Sequence, residues 1–385
     1  MTSRRGPAMY SVAAYGKMIA DRGRMEPYVR ALEAVVFPGA TVLDIGTGTG
    51  ILALVACRLG ASRVYAVEPD PAIEIARENA AVNGYADRIR FFRELSTRVR
   101  LPERVDVVVS DLRGVLPLFG HHIPAIADAR ERHLKPGGAL VPMRDVIRGA
   151  VVSDAEVYAS YSGPWDAELH GMDLSPARRV TTNTWGKERI GAGSLLTAPA
   201  AWAELDYRTH LAPSHRATMR WTVERDGMGH GVVAWFDAEL APGIGFSNAP
   251  GSPRLIYGGA FFPWREPVAL RAGDDVTVEL RADLVGDEYV WSWNSTIRAS
   301  PPVSFRQSTF SGSFIAAHSL RRGAHDHVAT LDEEGEIARE ALLRMDGRTT
   351  LRAVAEALRA LYPRRFARWE DAMARVAELS RAYGA

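Results

Sequence analysis

TVLDIGTGTG, residues Thr41 to Gly50, is the stretch from which the fold of this 385-residue chain is predicted. Its first residues form an apolar run typical of a β-strand, and three glycines at every second position follow at once. Residues 51–59 are good helix formers, and a second apolar strand, residues 64–67, ends at Glu68. A strand, a glycine-rich turn, a helix, a strand and an acid form the first half of a nucleotide-binding α/β fold.

The glycine turn favours a cationic ligand over a dinucleotide. Gly46 and Gly48 let the backbone turn tightly and let a ligand lie against it. Asp44 precedes the turn, and an acid there would repel the pyrophosphate that a dinucleotide site seats on a helix N-terminus. Glu68 can accept hydrogen bonds from both hydroxyls of a ribose. These features predict S-adenosylmethionine, with a NAD site or a purely structural turn as the alternatives.

The composition is that of an ordinary globular protein, with 47% hydrophobic and 24% charged residues and a formal net charge of +1. Such a charge gives no general attraction to nucleic acid or to an anionic membrane. Cys57 is the only cysteine, which excludes disulfide frameworks and cysteine-based zinc sites. The start lacks the apolar core of a signal peptide and no run of about eighteen apolar residues occurs, so we expect a cytoplasmic protein without a membrane span. No metal site is predicted, since His318, His325 and His327 lie in a polar segment without an acid constellation.

The texture of the sequence changes along the chain and predicts four parts. Residues 1–40 are expected to be helical, and residues 41–150 repeat the alternation of strand and helix of a Rossmann-like domain. Residues 151–315 alternate apolar and polar side chains between Gly/Pro turns, which indicates an antiparallel β domain, either a sandwich or a barrel. Residues 325–385 carry three helical segments, at 333–344, 351–361 and 369–383. Within the Rossmann-like part we predict helices at 72–83 and 123–134, strands at 89–92, 105–110 and 139–141, and a turn at 135–138.

Five motifs carry a resemblance to a known family: KMIADRGRMEPY, VLDIGTGTGIL, VYAVEPD, LPERVDVVVSD and ARERHLKPGGALVP. They resemble the protein arginine methyltransferases, and the similarity extends over about residues 9–300. The resemblance implies a class I S-adenosylmethionine-dependent methyltransferase, with residues 1–40 as a lid in which Arg24 meets the carboxylate of the cofactor. It also implies a homodimer with a dimerisation arm at about residues 158–180. The cofactor-binding residues assigned by the resemblance and by the strand ends are Met18, Arg24, Asp44, Gly46, Thr47, Gly48, Glu68, Pro69, Leu95, Ser96, Thr97 and Ser110.

The hairpin after the fourth strand departs from the family pattern. The family grips the guanidinium of arginine with two glutamates on a hairpin, and these positions are Asp111 and Gly120 in this sequence. Arg113 adds a positive charge beside the place of the guanidinium, and the family's threonine–histidine–tryptophan loop is replaced by a segment that ends at Tyr257. Bidentate binding of a guanidinium needs carboxylates in fixed geometry, which one shorter acid does not provide. The sequence therefore predicts that the cofactor site is kept and that arginine is lost as the substrate.

Three residues are candidates for catalysis: Asp111, His121 and His122. Asp111 ends the strand beside the point of transfer, and either histidine offers a base with a pKa near neutrality. Both histidines have an alternative interpretation as surface or helix-capping residues. The predicted reaction is N-methylation of a non-arginine amine on a ribosomally made peptide or another natural product. O-methylation, arginine methylation and an inactive cofactor-binding adaptor are the alternatives.

The segment ATLDEEGEIAREALLRMDGRTTLRAVAEALRALYP resembles PqqD-like peptide-recognition modules. Such winged-helix modules capture the leader of a precursor peptide by strand addition, so the resemblance implies a peptide partner for residues 325–385. A helical packing appendage or an oligomer contact is the alternative for this segment.

Overall fold

A computed structural model of the chain describes residues 11–166, 171–209, 212–313, 321–322 and 325–384. The chain divides into two compact units, Met1–Ser313 and Phe314–Ala385. His318 lies outside the described residues.

A five-stranded parallel sheet forms the first layer of the larger unit. Its strands are β1 Thr41–Ile45, β2 Arg63–Val67, β3 Ile89–Phe92, β4 Val105–Ser110 and β5 Leu134–Val141. Their order in the sheet is β3-β2-β1-β4-β5, and all neighbouring pairs are parallel. Every residue of β1 is buried, as expected for a central strand covered on both faces. The predicted Rossmann-like core is confirmed.

Helices connect and cover these strands. They are α1 Val12–Ala20, α2 Arg22–Val35, α3 Ile51–Arg58, α4 Ile73–Val82 and α5 His122–Arg132. The helical pattern before β1 is divided at Asp21, whose side chain accepts a hydrogen bond from the amide of Arg24 at 3.3 Å and so caps the start of α2. This cap sets the direction in which the chain enters the domain.

The predicted turn at residues 135–138 is wrong. These residues belong to β5, which starts at Leu134. Leu134 pairs with Val105 and Ala139 with Val107, so the residues between them form an irregularity in the strand. Gly137, with φ of 76°, permits this bend without ending the strand.

Two antiparallel sheets complete the larger unit. Their strands are β6 Arg144–Val152, β7 Gly186–Glu188, β8 Ala200–Asp206, β9 His215–Thr222, β10 Gly227–Ala241, β11 Ile244–Ser247, β12 Gly259–Leu270, β13 Asp275–Val285, β14 Glu288–Arg298 and β15 Val303–Ser308. One sheet has the order β7-β12-β10-β6-β8 with β11 paired to β10, and the other has the order β15-β14-β13-β9. Trp221, Trp235, Trp291 and Trp293 are buried, as their alternation with polar residues predicted. The predicted antiparallel β part is confirmed.

The segment predicted as a dimerisation arm is largely helical where it is described. It contains α6 Ala155–Asp166, a short 3₁₀ turn at Ser175–Ala177 and α7 Arg178–Thr181. Residues 167–170 lie outside the described part of the chain. The dimer itself stays a prediction.

The smaller unit is helical where it is described. It contains α8 Glu333–Leu343, α9 Leu351–Leu361 and α10 Trp369–Tyr383, which confirms the three helical segments. Asp332 and Thr350 cap the first two of these helices. Ile337, Leu358 and Val376 contribute one residue from each helix to a common core. Residues 325–384 contain no strand, and the PqqD-like assignment stays a prediction.

Within the described ranges, no helix has both the length and the apolar character needed to cross a membrane. The same ranges contain no group of three or more His, Cys, Asp or Glu side chains placed to hold a metal ion.

Candidate active site

The carboxyl ends of the parallel strands bring together the acids that the sequence singled out. β1 lies between β2 and β4, and Ile45 is opposite Ser110 in the register. Asp44 lies next to the end of β1, Glu68 follows β2 and Asp111 follows β4. Because the chain turns to one side of β1 first and to the other side later, this edge is a topological switch point, where open α/β sheets bind ligands.

The turn after β1 requires glycine. Gly46, Gly48 and Gly50 have φ angles of 73°, 54° and 92°, which residues with a side chain rarely adopt. The amide of Gly46 donates to the carbonyl oxygen of Val67 at 2.8 Å, and this bond ties the turn to β2. A Cβ atom at Gly48 would lie 2.6 Å from Cε1 of Tyr15 in α1. The turn is therefore a cradle lined by backbone, and α1 crosses over it.

Glu68 is buried and retains capacity to accept further hydrogen bonds. Its Oε2 accepts from the amide of Gly48 at 3.0 Å, and its Oε1 accepts from the amide of Asp70 at 3.0 Å. A carboxylate has about four acceptor positions, so roughly two remain for a ribose diol. Burial raises the pKa of Glu68 above its ordinary value, although both backbone hydrogen bonds lower it.

Asp44 is a buried acid with little solvation. Burial raises its pKa to about 7, although the hydrogen bond from the Thr47 hydroxyl and the nearby amide of Ala53 lower it. The hydroxyl of Thr47 donates to Oδ2 at 2.6 Å. Within the described part of the chain, Oδ1 makes no hydrogen bond of normal geometry. Such a carboxylate gains most from a cationic ligand.

The residues predicted to meet the adenine follow β3. Ser96 and Thr97 begin a short 3₁₀ helix, and their carbonyl oxygens each accept from Nη2 of Arg132 at 3.1 Å. Leu95 and Pro69 are exposed. Arg132 thus holds the backbone of this segment in place, and the side chains of the segment are available to a ligand. Their contacts with adenine stay predictions.

The lid helices are tied to the β part of the unit through Asp21. Its Oδ1 caps α2, and its Oδ2 accepts from the amide of Ile256 at 2.6 Å. The carbonyl oxygen of Met18, in α1, accepts from Nη1 of Arg24 at 3.1 Å. One carboxylate therefore joins α2 to the loop that carries Ile256.

The residues present fit S-adenosylmethionine on observations of three kinds. The glycine cradle presents backbone alone to a ligand, and an added Cβ at Gly46 or Gly48 would clash with Leu112 or Tyr15. Glu68 has acceptor positions left for the ribose, and Asp44 has a buried oxygen without a hydrogen bond among the described residues. The hydroxyl oxygen of Ser110 is buried and has no hydrogen-bond partner within the same ranges. In contrast to a fully satisfied core, this side of the sheet is equipped to receive a polar ligand.

Asp111 is held by three donors. Its Oδ2 accepts from Nε of Arg24 at 2.6 Å and from the hydroxyl of Tyr257 at 2.5 Å, and its Oδ1 accepts from Nε of Arg113 at 3.2 Å. Burial alone would raise the pKa of this carboxyl, but the charges of Arg24 and Arg113 and the hydrogen bonds lower it to about 2. Asp111 is therefore ionised at neutral pH and is a poor acceptor of a proton.

Arg113 is enclosed completely. None of its side chain is exposed, and its Nη1 donates to Oδ1 of Asp145 at 2.8 Å. Its Nη2 donates to the hydroxyl of Tyr28. The guanidinium carbon lies 5.3 Å from the ring centroids of both Phe236 and Phe246. Burial alone would lower the pKa of Arg113, but Asp145 and the other partners raise it well above its ordinary value.

A buried chain of hydrogen bonds continues from Arg113 to His122. The hydroxyl of Tyr207 donates to Oδ2 of Asp145 at 2.6 Å, and Nε2 of His122 lies 2.9 Å from the same hydroxyl. Because Tyr207 gives its proton to Asp145, His122 donates its Nε2–H to Tyr207. Burial, with the charge of Arg113, lowers the pKa of His122 to about 3. The expectation that His122 has a pKa near neutrality is therefore wrong.

His121 lies on the surface. Its Nε2 is 2.7 Å from Oδ1 of Asp287, and both side chains are substantially exposed. No contact joins it to Asp111 in the described structure. The catalytic roles predicted for the two histidines gain no support from these positions.

Sequence reasoning missed the partners that enclose the hairpin. Asp145 lies in β6 between Arg144 and Val146, and its sequence neighbours do not distinguish it from a surface acid. Tyr207 directly follows β8 and Phe236 lies in β10, both far from Asp111 in the sequence, and nothing in the local pattern indicates their proximity. Tyr257 is notable in the sequence only as a departure from the family pattern.

This sheet order, glycine turn and pair of acids define a class I S-adenosylmethionine-dependent methyltransferase. Residues 27–142 match the family model described as ribosomal protein L11 methyltransferase (PrmA). The chain is 32% identical over 276 residues to an arginine N(omega)-methyltransferase of Streptomyces achromogenes subsp. streptozoticus, and the alignment covers 68% of this chain and 74% of the relative. It is 27% identical over 332 residues to protein arginine N-methyltransferase 6 of Xenopus laevis, with 83% and 93% covered.

A solved structure supports the same fold. The Trypanosoma brucei PRMT1 enzyme–prozyme heterotetrameric complex with AdoHcy has a TM-score of 0.70 at 21% identity, and the match covers 76% of this chain and 97% of that chain. From these similarities, the chain belongs to the arginine N-methyltransferase family. It is an S-adenosylmethionine-dependent methyltransferase, as the sequence predicted.

Proposed function

We propose that this enzyme transfers a methyl group to a non-arginine acceptor, an amine nitrogen on a ribosomally made peptide or another natural product. S-adenosylmethionine supplies the methyl group and its sulfonium the leaving group. The observation that carries the proposal is the state of Asp111. Asp111 is the only acid between Ser110 and Gly120, and Arg24, Arg113 and Tyr257 already occupy it.

The charges around Asp111 leave no net negative site for a guanidinium. Asp111 and Asp145 carry two negative charges, and Arg24 and Arg113 carry two positive ones. Gly120, at the position of the second family glutamate, has no side chain to contribute. A guanidinium entering this cluster would lose its hydration without gaining a free carboxylate, which is costly.

An amine suits the site better than a hydroxyl. A neutral amine presents a lone pair to the methyl group without first losing a proton, whereas a hydroxyl needs a base in the transition state. Asp111, with a pKa of about 2, does not serve as that base, and His122 is buried in contact with Tyr207. The protein's contribution is alignment of the nitrogen with the methyl group.

Release of S-adenosylhomocysteine tests the proposal. The purified enzyme is given matched peptides that differ at one position, which is Lys, Arg or Ser. With all peptides N-acetylated, release with the lysine peptide and not with the arginine peptide supports amine methylation. Methylation of the arginine side chain at a comparable rate would overturn it.

Arginine methylation is the second candidate, and the name of the Streptomyces relative favours it. The variant Asp111→Glu with Gly120→Glu separates the two candidates. If the wild type turns over arginine slowly and this variant is faster, the second candidate holds. If neither releases product with arginine, the acceptor is another group.

An inactive adaptor is the third candidate. The solved Trypanosoma complex joins an enzyme to a prozyme, which makes a silent relative of this fold worth testing. Tight binding of S-adenosylhomocysteine without turnover on any acceptor class, together with activation of a second methyltransferase chain, would favour this role.

We further propose a homodimer in the cytoplasm, with residues 325–385 as a peptide-binding module. The compact division after Ser313 makes deletion of that module practical. Removal should raise KM for a full precursor peptide and leave KM for a short core peptide unchanged. An equal effect on both substrates would show that the module supports the fold instead.

Sedimentation of the full chain measures the oligomeric state.

A further inference from the structure

The guanidinium of Arg113 occupies a complete guanidinium-binding site that the chain builds for itself. Each nitrogen of the fork has its own acceptor: Nε meets Asp111, Nη1 meets Asp145 and Nη2 meets the hydroxyl of Tyr28. Tyr28 can accept because its own proton goes to the carbonyl oxygen of Ser110, at 3.0 Å. All three nitrogens of the guanidinium thus donate hydrogen bonds, each to a different residue.

Aromatic rings complete this enclosure. The guanidinium carbon of Arg113 lies 5.3 Å from the ring centroids of Phe236 and Phe246 and 5.7 Å from that of Tyr28. These distances lie within the range of favourable cation–π contacts. Two carboxylates with aromatic faces are the surroundings in which proteins bind a guanidinium firmly. This enclosure therefore has the chemistry of an arginine-binding site, and its occupant is internal.

Stability alone does not account for this arrangement. Replacing a buried ion pair by apolar residues is often neutral or stabilising, so such a pair is weak evidence of a stabilising role. The position is informative instead, because Arg113 lies three residues beyond the end of β4 at Ser110 and shares Asp111 with Arg24. An internal cation at this place neutralises the carboxylate nearest to the point of transfer.

We propose that Arg113 determines acceptor specificity by acting as a built-in guanidinium that excludes the guanidinium of an arginine substrate. The inference rests on the proposed methyl transfer to a non-arginine acceptor, and it names the residue responsible. With Arg113 in place, Asp111 is balanced and the site accepts an uncharged nucleophile. Without Arg113, Asp111 retains Arg24 and Tyr257 and gains room for one external cation.

The test removes the cation and keeps both carboxylates. In the variant Arg113→Gln, Asp111 and Asp145 share a single arginine, Arg24, so one negative charge is unbalanced. The double variant Arg113→Met with Asp145→Asn is the charge-balanced control, because it removes one charge of each sign. The single variant Asp145→Asn is the second control, since it loses a carboxylate and keeps Arg113. Binding of methylguanidinium, neutral methylurea and methylammonium is measured by calorimetry with S-adenosylhomocysteine present.

Arg113→Gln should bind methylguanidinium at least about tenfold more tightly than methylurea, which corresponds to one charged pairing of modest strength. The wild type and both controls should show no such preference. Equal affinities in Arg113→Gln, or a preference for methylguanidinium already in the wild type, would overturn the inference. If Arg113→Gln does not fold, its refolding is measured with each of the three ligands, and methylguanidinium alone should restore it.

The two proposals fail separately. If the wild type methylates arginine, the proposed acceptor class is wrong. If the wild type is inert towards arginine and Arg113→Gln gains no binding of methylguanidinium, only the role of Arg113 is wrong.

Discussion

The two sides of the sheet edge differ in how fully their polar groups are satisfied. On the β1–β2 side, Asp44 and Glu68 are buried with hydrogen-bonding capacity left over. On the hairpin side, Asp111 and Asp145 are buried with arginines already bound to them. Buried polar groups are normally paired, so unused capacity indicates where a ligand completes the structure. The β1–β2 side therefore has hydrogen-bonding capacity for the cofactor, whereas arginines of the same chain already bind the acids of the hairpin side.

The largest expected effect comes from breaking the hairpin side. Arg113→Ala leaves Asp145 buried without its cation and should lower the free energy of unfolding by about 3–5 kcal/mol. Urea denaturation measures this loss. Arg216→Ala, which removes a pair between the exposed Arg216 and the half-buried Glu279, is the control and should cost much less. Equal losses in the two variants would mean that the internal pairing contributes little.

A smaller effect is expected from the cofactor side. Glu68→Ala should weaken binding of S-adenosylhomocysteine by about 1–3 kcal/mol, the range for leaving polar partners unpaired. Glu78→Ala removes an exposed acid on α4 and should leave the affinity unchanged. Calorimetry on both variants decides the point. An unaltered affinity in Glu68→Ala would refute its role at the ribose.

The third prediction concerns pH. The pKa of Asp44 is about 7 in the folded protein, so protonation below pH 7 removes the charge that attracts a cationic ligand. Cofactor affinity should fall with decreasing pH by at most about tenfold per unit, because one proton is linked to binding. Asp44→Asn should remove this dependence. A wild-type affinity that is flat between about pH 8 and pH 6 would contradict the prediction.

The pH dependence that Asp44 gives to stability has the opposite sign to the pH dependence of cofactor affinity. The folded pKa of Asp44 lies above its ordinary value of 3.8, so its contribution to stability is present below that value and is lost as pH rises through about 7. Asp44→Asn should therefore raise the melting temperature of the cofactor-free protein at about pH 8 and have little effect at about pH 4. Equal melting temperatures of variant and wild type at the higher pH would show that the buried charge is compensated.

The smallest effect is expected at the surface. His121→Ala breaks an exposed contact with Asp287 and should change kcat by less than about twofold and the free energy of unfolding by about 0–1 kcal/mol. Asp287→Asn is the matched variant from the other side of the pair. A large fall in kcat for His121→Ala alone would restore the histidine as a base.

Local sequence patterns were sufficient for the parallel sheet and for the tail. The glycines after β1 and the apolar run of β4 have one structural interpretation each, because backbone geometry and burial on both faces restrict the residue types. The three tail helices were predicted within about a residue of their bounds. The turn predicted at residues 135–138 was wrong because their Pro-Gly-Gly sequence, which is typical of a turn, forms an irregularity within β5.

The acceptor side could be predicted only in part. The loss of the hairpin glutamates and the presence of Arg113 are visible in the sequence. The pairing of Arg113 with Asp145 depends on where β6 places its side chains, and Phe236 and Phe246 arrive from β10 and β11, far along the chain. Long-range packing of this kind leaves no local periodicity to detect.

The double attachment of Asp21 has a kinetic consequence. Its two oxygens hold the start of α2 and the amide of Ile256, the residue before Tyr257, so these segments cannot separate without breaking a part-buried anchor. If α1 and α2 move to admit S-adenosylmethionine, the hydroxyl of Tyr257, which donates to Asp111, moves with them. We therefore expect an ordered kinetic mechanism, in which the methyl donor binds before the acceptor. In initial-rate measurements, Asp21→Ala should change this to a random order of binding.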